Sequence, residues 1–131
     1  MSLKAHYSYK IPKDIIRQPE EHEKSAAQIL ADYFHVDVKF VNTGLMHTAD
    51  IEVKRQFWEL KSPLGNGKRT IQHQFERAGK QSKRFVIDCR RSKMREKTII
   101  KRSEKQFSIA KGAKGLIIIS KKGKIVLEKY K

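Results

Sequence analysis

The stretch TADIEVKRQFWELKSP, residues 48–63, decides the fold. Ile51 and Val53 alternate with Asp50 and Glu52, then Trp58 and Leu60 alternate with Glu59 and Lys61. A period of two marks two strands, over 48–53 and 56–61, each with one apolar and one polar face. A tight turn at Lys54-Arg55 pairs Val53 with Gln56 and Ile51 with Trp58, which sets Asp50 across from Glu59. Two carboxylates and a lysine then converge on one face, at the edge of an apolar sheet. Such a set can hold a hard divalent cation beside an activated water, the chemistry that cuts phosphodiesters.

The same stretch holds a second E-x-K, Glu52-Val53-Lys54, and a chain rich in Lys and Glu produces such triplets by chance. That copy runs into the turn. Glu59-Leu60-Lys61 instead lies in a strand whose apolar face carries Trp58 and Leu60 and which Ser62-Pro63 ends. His47, near Asp50, raises metal-free acid–base chemistry, but no second histidine stands nearby. Gly65-Asn66-Gly67-Lys68 lacks the spacing of a phosphate-binding loop and reads as an ordinary connection.

Composition bounds the rest. The 131 residues suffice for one domain with a sizeable core. Lys and Arg total 30 against 14 Asp and Glu, a net charge of +16, which favours RNA, DNA or an acidic protein as partner. The single cysteine, Cys89, excludes an internal disulfide and fits a reducing compartment; with five scattered histidines it makes no zinc pattern. There is neither a signal-peptide pattern nor an apolar run long enough to span a bilayer, so no membrane partner is expected.

Outward from the hairpin, residues 4–18 have no clear period. Pro19 followed by Glu20, Glu21 and Glu23 suits a helix start, and Ala26, Ala27, Leu30 and Phe34 continue an amphipathic helix to about 34. VDVKFV (36–41) reads as a strand and Asn42-Thr43-Gly44 as a turn. A helix is predicted over 69–81, with Gln74, Arg77 and Gln81 on its polar side, then a buried strand over 84–89. Residues 90–111 are densely basic and turn helical around Ile99, Ile100, Phe107 and Ala110, with Gly112 as C-cap. GLIIIS and IVLEKY close the chain as a hairpin. The order is α-β-β-β-α-β-α-β-β, a single α+β domain with a mixed sheet: 1–18 an N-terminal extension, 19–90 the core, and 91–131 a basic helix plus hairpin.

An acidic helix, Asp50 on one strand and Glu59-Leu60-Lys61 on the next, then a helix and a strand, resemble the core of the PD-(D/E)XK nuclease superfamily. EKSAAQIL (23–30), ADI (49–51), WELKSP (58–63) and KQSKRFVID (80–88) resemble the C-terminal tRNA-nuclease tips of contact-dependent growth-inhibition and polymorphic toxins. Ala49 stands where the superfamily usually has proline. The resemblance covers residues 20–90 and implies a restriction-endonuclease-like core, with Asp50, Glu59 and the Leu60 carbonyl binding Mg²⁺ or Mn²⁺. It gives Lys61 the task of orienting the water or stabilising charge on the phosphorane, and Glu23, with Glu20 and Glu21 as alternatives, that of fixing a metal-bound water. Gln74, Arg77, Gln81, Arg90, Arg91, Lys93 and Arg95 are candidates for nucleic-acid contact.

The expected function is a metal-dependent, toxin-like RNase acting on tRNA. The alternatives are a DNA endonuclease of a mobile element and a non-catalytic nucleic-acid-binding module on the same fold. The resemblance further implies an acidic immunity protein as partner, and action in the cytoplasm after delivery as the C-terminal part of a larger secreted toxin.

Overall fold

In a computed structural model, residues 6–42, 49–78 and 83–131 are described, the side chains of 77 and 78 excepted. The elements are β1 (Tyr9–Lys10), α1 (Glu21–Phe34), β2 (Val38–Phe40), β3 (Ile51–Val53), β4 (Gln56–Lys61), α2 (Thr70–Ala78), β5 (Arg84–Asp88), α3 (Glu96–Ile109), β6 (Gly115–Ile119) and β7 (Ile125–Tyr130). The Thr43-Gly44 turn, His47, the Arg77 side chain and Gln81 lie outside the described residues. No helix among the described residues is long and apolar enough to cross a membrane.

The strands form one seven-stranded mixed sheet in sequence order. Strands β2, β3 and β4 are antiparallel, β4, β5 and β6 are parallel, and β7 returns antiparallel. Parallel neighbours need crossover helices, which α2 and α3 supply between β4, β5 and β6. The covered central strands therefore read as unbroken apolar runs, FVI and LIII, with no alternation. Alternate residues feed two cores. On one face Ala26, Ala27, Leu30 and Ala31 of α1 meet Phe40, Ile51, Trp58, Leu60, Val86 and Ile117. On the other, Ile71 and Phe75 of α2 and Ile99 and Phe107 of α3 meet Phe85, Ile87, Leu116 and Ile118. The Trp58 indole lies so close over Gly115 that a Cβ there would sit 2.8 Å from Cη2, so this position needs glycine.

Two expectations are corrected. Helix α3 ends at Ile109 with the extended Ala110 as its cap, so Gly112 is not the C-cap. The Ala110 N–H still reaches the Gln106 carbonyl, and the chain can leave without a left-handed residue. Residues 6–18 are also more than an appendage to the sheet. Tyr9–Lys10 form β1, parallel to β2, and Tyr7, Tyr9, Ile11 and Ile15 pack on the α1 core. Two residues of strand are too short to show a period, and their apolar partners lie elsewhere in the chain.

The β3–β4 register is that of the alternation: Ile51 opposite Trp58 and Val53 opposite Gln56. The turn holds Lys54 at φ 51° and Arg55 at φ 67°, both left-handed, as a two-residue hairpin turn of the primed type demands. Neither is the Asn or Gly such turns prefer. The Lys54 ammonium lies 4.7 Å from the Phe34 ring centroid, which gives that lysine a separate packing role. Arg55→Gly should therefore stabilise the fold by about 1 kcal/mol by relieving a left-handed non-glycine residue. The check is a rise in the urea midpoint at unchanged slope; a fall would mean that the arginine side chain holds the turn.

Candidate active site

Asp50 enters β3 from the side of β2 and is fixed by three hydrogen bonds. Its N–H donates to the Trp58 carbonyl at 3.1 Å, and its own carbonyl accepts from the Val41 N–H at 3.1 Å. Its Oδ2 accepts from the Leu60 N–H at 2.8 Å. The carboxylate thus leans across the hairpin to β4, level with Glu59.

Glu59 is only 5 % exposed, the one buried glutamate among the described residues. Its Oε1 lies 3.2 Å from Lys61 Nζ. Its Oε2 is buried and has no hydrogen-bond partner among the described residues. Burial first, then the neighbouring Asp50 carboxylate, pushes its pKa up to about 7, against the pull of Lys61. Asp50 is raised too, by burial foremost and by the charge of Glu23, while the Leu60 N–H, Lys61 and Arg17 oppose the shift. Neighbouring carboxyls shielded from water repel when both ionise, and a cation between them removes the repulsion.

Glu23 reaches the same place from the first turn of α1. Its Oε1 accepts from the Glu20 N–H at 2.9 Å, which caps the helix, and lies 3.4 Å from an Arg17 guanidinium nitrogen. Glu23 and Asp50 line a small cavity with Ile15, Arg17, Pro19, Phe40 and Asn42, of about 20 Å³, room for about one water. Glu20 and Glu21 do not line it; their side chains are 58 % and 92 % exposed and pair with Arg17 and Lys24. Glu23 is therefore the helix glutamate that faces Asp50.

Sequence alone does not mark Arg17 as a site residue. It sits in a stretch without period, and only its place between Ile15 and the helix-opening Pro19 hinted at an anchored position. It brings a second cation, besides Lys61, to the carboxylates. The donor set fits a hard divalent ion: a buried and a half-buried carboxylate, one oxygen without a hydrogen-bond partner among the described residues, and flanking cations too few to neutralise the cluster by direct pairing.

The other candidates divide. Gln74 is half-buried on α2. Arg91, Lys93 and Arg95 are exposed, with Arg91 against the His22 ring, 2.6 Å from Nε2. Arg90 is committed inside the protein: its Nε and a terminal nitrogen hold Asp88 at 3.0 and 2.8 Å, and it also donates to Ser25 Oγ at 2.6 Å and the His22 carbonyl at 3.1 Å. The 65–68 loop turns carbonyls, not N–H groups, toward its neighbours: Gly65 accepts from Ser92 Oγ and Gly67 from Arg102. Glu52 of the second E-x-K is only half-buried, opposite Lys39 and Phe57.

The raised Glu59 pKa has a consequence for stability. A carboxyl whose folded value lies above its unfolded 4.5 contributes stability that is full below about pH 4.5 and is lost as pH rises through about 7. In metal-free buffer the unfolding free energy of the wild type should therefore fall, relative to Glu59→Gln, by on the order of 1–3 kcal/mol between about pH 5 and pH 7.5. Denaturant titrations at several pH values measure the difference; parallel curves for the two proteins would contradict a proton held at Glu59.

A sequence profile of the contact-dependent growth inhibition CdiA C-terminal domain matches residues 47–125, more than half of the chain. No curated protein shows significant sequence similarity. Among solved structures, a chain of the CdiA-CT/CdiI toxin and immunity complex from Burkholderia pseudomallei has a similar fold, with a TM-score of 0.64 and 18 % identity. The alignment covers 95 % of this chain and 99 % of that one.

Proposed function

The chain belongs to the contact-dependent growth inhibition CdiA C-terminal domain family, and from that premise we propose that it is a toxin whose activity is nuclease. The reading is a metal-dependent phosphodiesterase of the PD-(D/E)XK type, on a restriction-endonuclease-like core, with RNA, tRNA foremost, as substrate. The observation that carries it is the buried Glu59 carboxyl, with an oxygen unpartnered among the described residues, set beside the half-buried Asp50 and Lys61.

Asp50, Glu59 and the Leu60 carbonyl would hold Mg²⁺ or Mn²⁺, which when bound polarises a phosphate oxygen and acidifies a water. The chain's own residues do the rest. The Leu60 N–H fixes the rotamer of Asp50. Burial of Glu59 excludes bulk water and strengthens every charge interaction there. Lys61, its ammonium 3.2 Å from Glu59, is placed to orient an attacking water or to meet negative charge growing on the phosphorus oxygens. Glu23, tied to the helix start, is placed to accept a hydrogen bond from a water in the small cavity.

A toxin of this kind needs an inhibitor in the cell that makes it. An acidic immunity protein is the partner the +16 charge favours, and delivery as part of a larger secreted protein accounts for how the domain reaches foreign cytoplasm. Purified protein incubated with tRNA, duplex DNA and single-stranded DNA, in Mg²⁺, Mn²⁺ or EDTA, tests the reading. Cleavage of tRNA that EDTA stops is expected. Cleavage of DNA alone would move the substrate to the alternative. Binding without cleavage in any metal would leave a nucleic-acid-binding module.

A further inference from the structure

Helix α3 carries a feature that the active site does not use. Lys97, Lys101 and Lys105 stand at i, i+4 and i+8, all exposed, and with Thr98 and Arg102 they line an open groove of about 410 Å³. Among the described residues no carboxylate lines it. The two acids of α3 are turned to other tasks: Glu96 accepts from the Lys121 N–H, and Glu104 pairs with Lys129. Among the described residues no carboxylate pairs with any of the three lysines. Like charges at i, i+4 cost a helix a few tenths of a kcal/mol per pair, so the stripe does not serve the fold.

We propose that this groove on α3 binds the sugar-phosphate backbone of the nucleic-acid substrate, at a site remote from the reacting phosphate. The inference rests on the nuclease reading for the identity of its polyanion. The lysines recur about every 6 Å along the helix, a step suited to successive phosphates of one strand. Among the described residues no aromatic ring lines the groove to stack a base, so it reads charge and not sequence. The groove borders the connection between β4 and α2. Arg102, in the groove, donates to the Gly67 carbonyl at 3.4 Å, in the loop that leaves β4 after Lys61. Arg90, by contrast, is held by Asp88, so the basic segment before α3 has less free charge than its composition suggests.

The test measures binding of a tRNA transcript in EDTA across a salt series, in a Glu59→Gln background so that no cleavage intervenes. Replacing Lys97, Lys101 and Lys105 by alanine should lower the slope of log K against log salt by about 2 to 3. A control with the same loss of charge replaces the exposed Lys10, Lys13 and Lys39, near the β1–β2 edge, and should leave the slope nearly unchanged. In the Glu59 background with metal, the α3 variant should raise KM for cleavage and leave kcat near its starting value. Equal slopes for the two triple variants, both with unaltered circular dichroism, would overturn the proposal. So would an α3 variant that loses an acidic protein partner but keeps its nucleic-acid slope. Because binding is read without cleavage, failure of the groove and failure of the nuclease reading give different results.

Discussion

Glu59→Gln should abolish cleavage, with a loss of roughly a thousand-fold or more, about 4 kcal/mol of transition-state stabilisation. The change keeps the shape of the side chain and removes the charge that a divalent ion needs. Glu52→Gln, in the second E-x-K, should leave most of the activity, because Glu52 is half-exposed opposite Lys39 and Phe57 and is not joined to Asp50 or Lys61. The comparison has its own folding control. Glu59 is ionised at neutral pH only at a cost, so Glu59→Gln should keep or raise the melting temperature of the metal-free protein while it removes activity. A Glu59→Gln protein that is folded and as active as the wild type in Mg²⁺ would sink the nuclease assignment. A Glu52→Gln protein as damaged as Glu59→Gln would put the wrong E-x-K at the centre.

The second large effect is on stability. Arg90→Ala should cost about 3–5 kcal/mol, because Asp88 is wholly buried and Arg90 is its only ion-pair partner among the described residues. Removing the guanidinium leaves a buried charge uncompensated and also frees Ser25 Oγ and the His22 carbonyl, so the start of α1 loses its tie to the end of β5. Against a total of 5–15 kcal/mol for a typical domain this is a large fraction, and the melting temperature should drop by roughly 10 °C or more. Asp88→Asn combined with Arg90→Ala should cost less than the sum of the two single changes, since the buried charge is gone. A loss below about 1 kcal/mol for Arg90→Ala would show that the pair is weak and return Arg90 to the nucleic-acid candidates.

The hairpin and its E-x-K were legible in the sequence because their information is local. Alternation over six residues fixes which side chains share a face, and a two-residue turn then fixes the register, so Ile51 opposite Trp58 needed no tertiary knowledge. Helix α1 was legible for the same reason, its acidic start and apolar stripe lying within one short window. The buried runs FVI and LIII announced strands covered on both sides. The last turn of α3 was misread because a glycine is only permitted, not required, where the chain can leave in an extended conformation.

Only the tertiary structure decided that Glu59 is buried and that Glu52 is not. Local context favours Glu59 over Glu52, but the burial of Glu59 comes from the fold: Glu52 stands between Lys39 and Phe57, both exposed, whereas Glu59 stands beside the buried Phe85 of β5, and Asp50 leans onto the Leu60 N–H. The same holds for long-range partners. Arg17 reaches Glu23 and the cavity at Asp50 from a stretch without period, and Arg90 joins Ser25 across 65 residues of chain. Charge tells the same story. The total of +16 could be counted from the sequence, but that Arg90 is spent inside while Lys97, Lys101 and Lys105 stand free on one groove could not. Periodicity is a property of neighbours along the chain, whereas burial and pairing depend on which distant residues the fold brings alongside, and the chemistry of this site depends on burial and pairing.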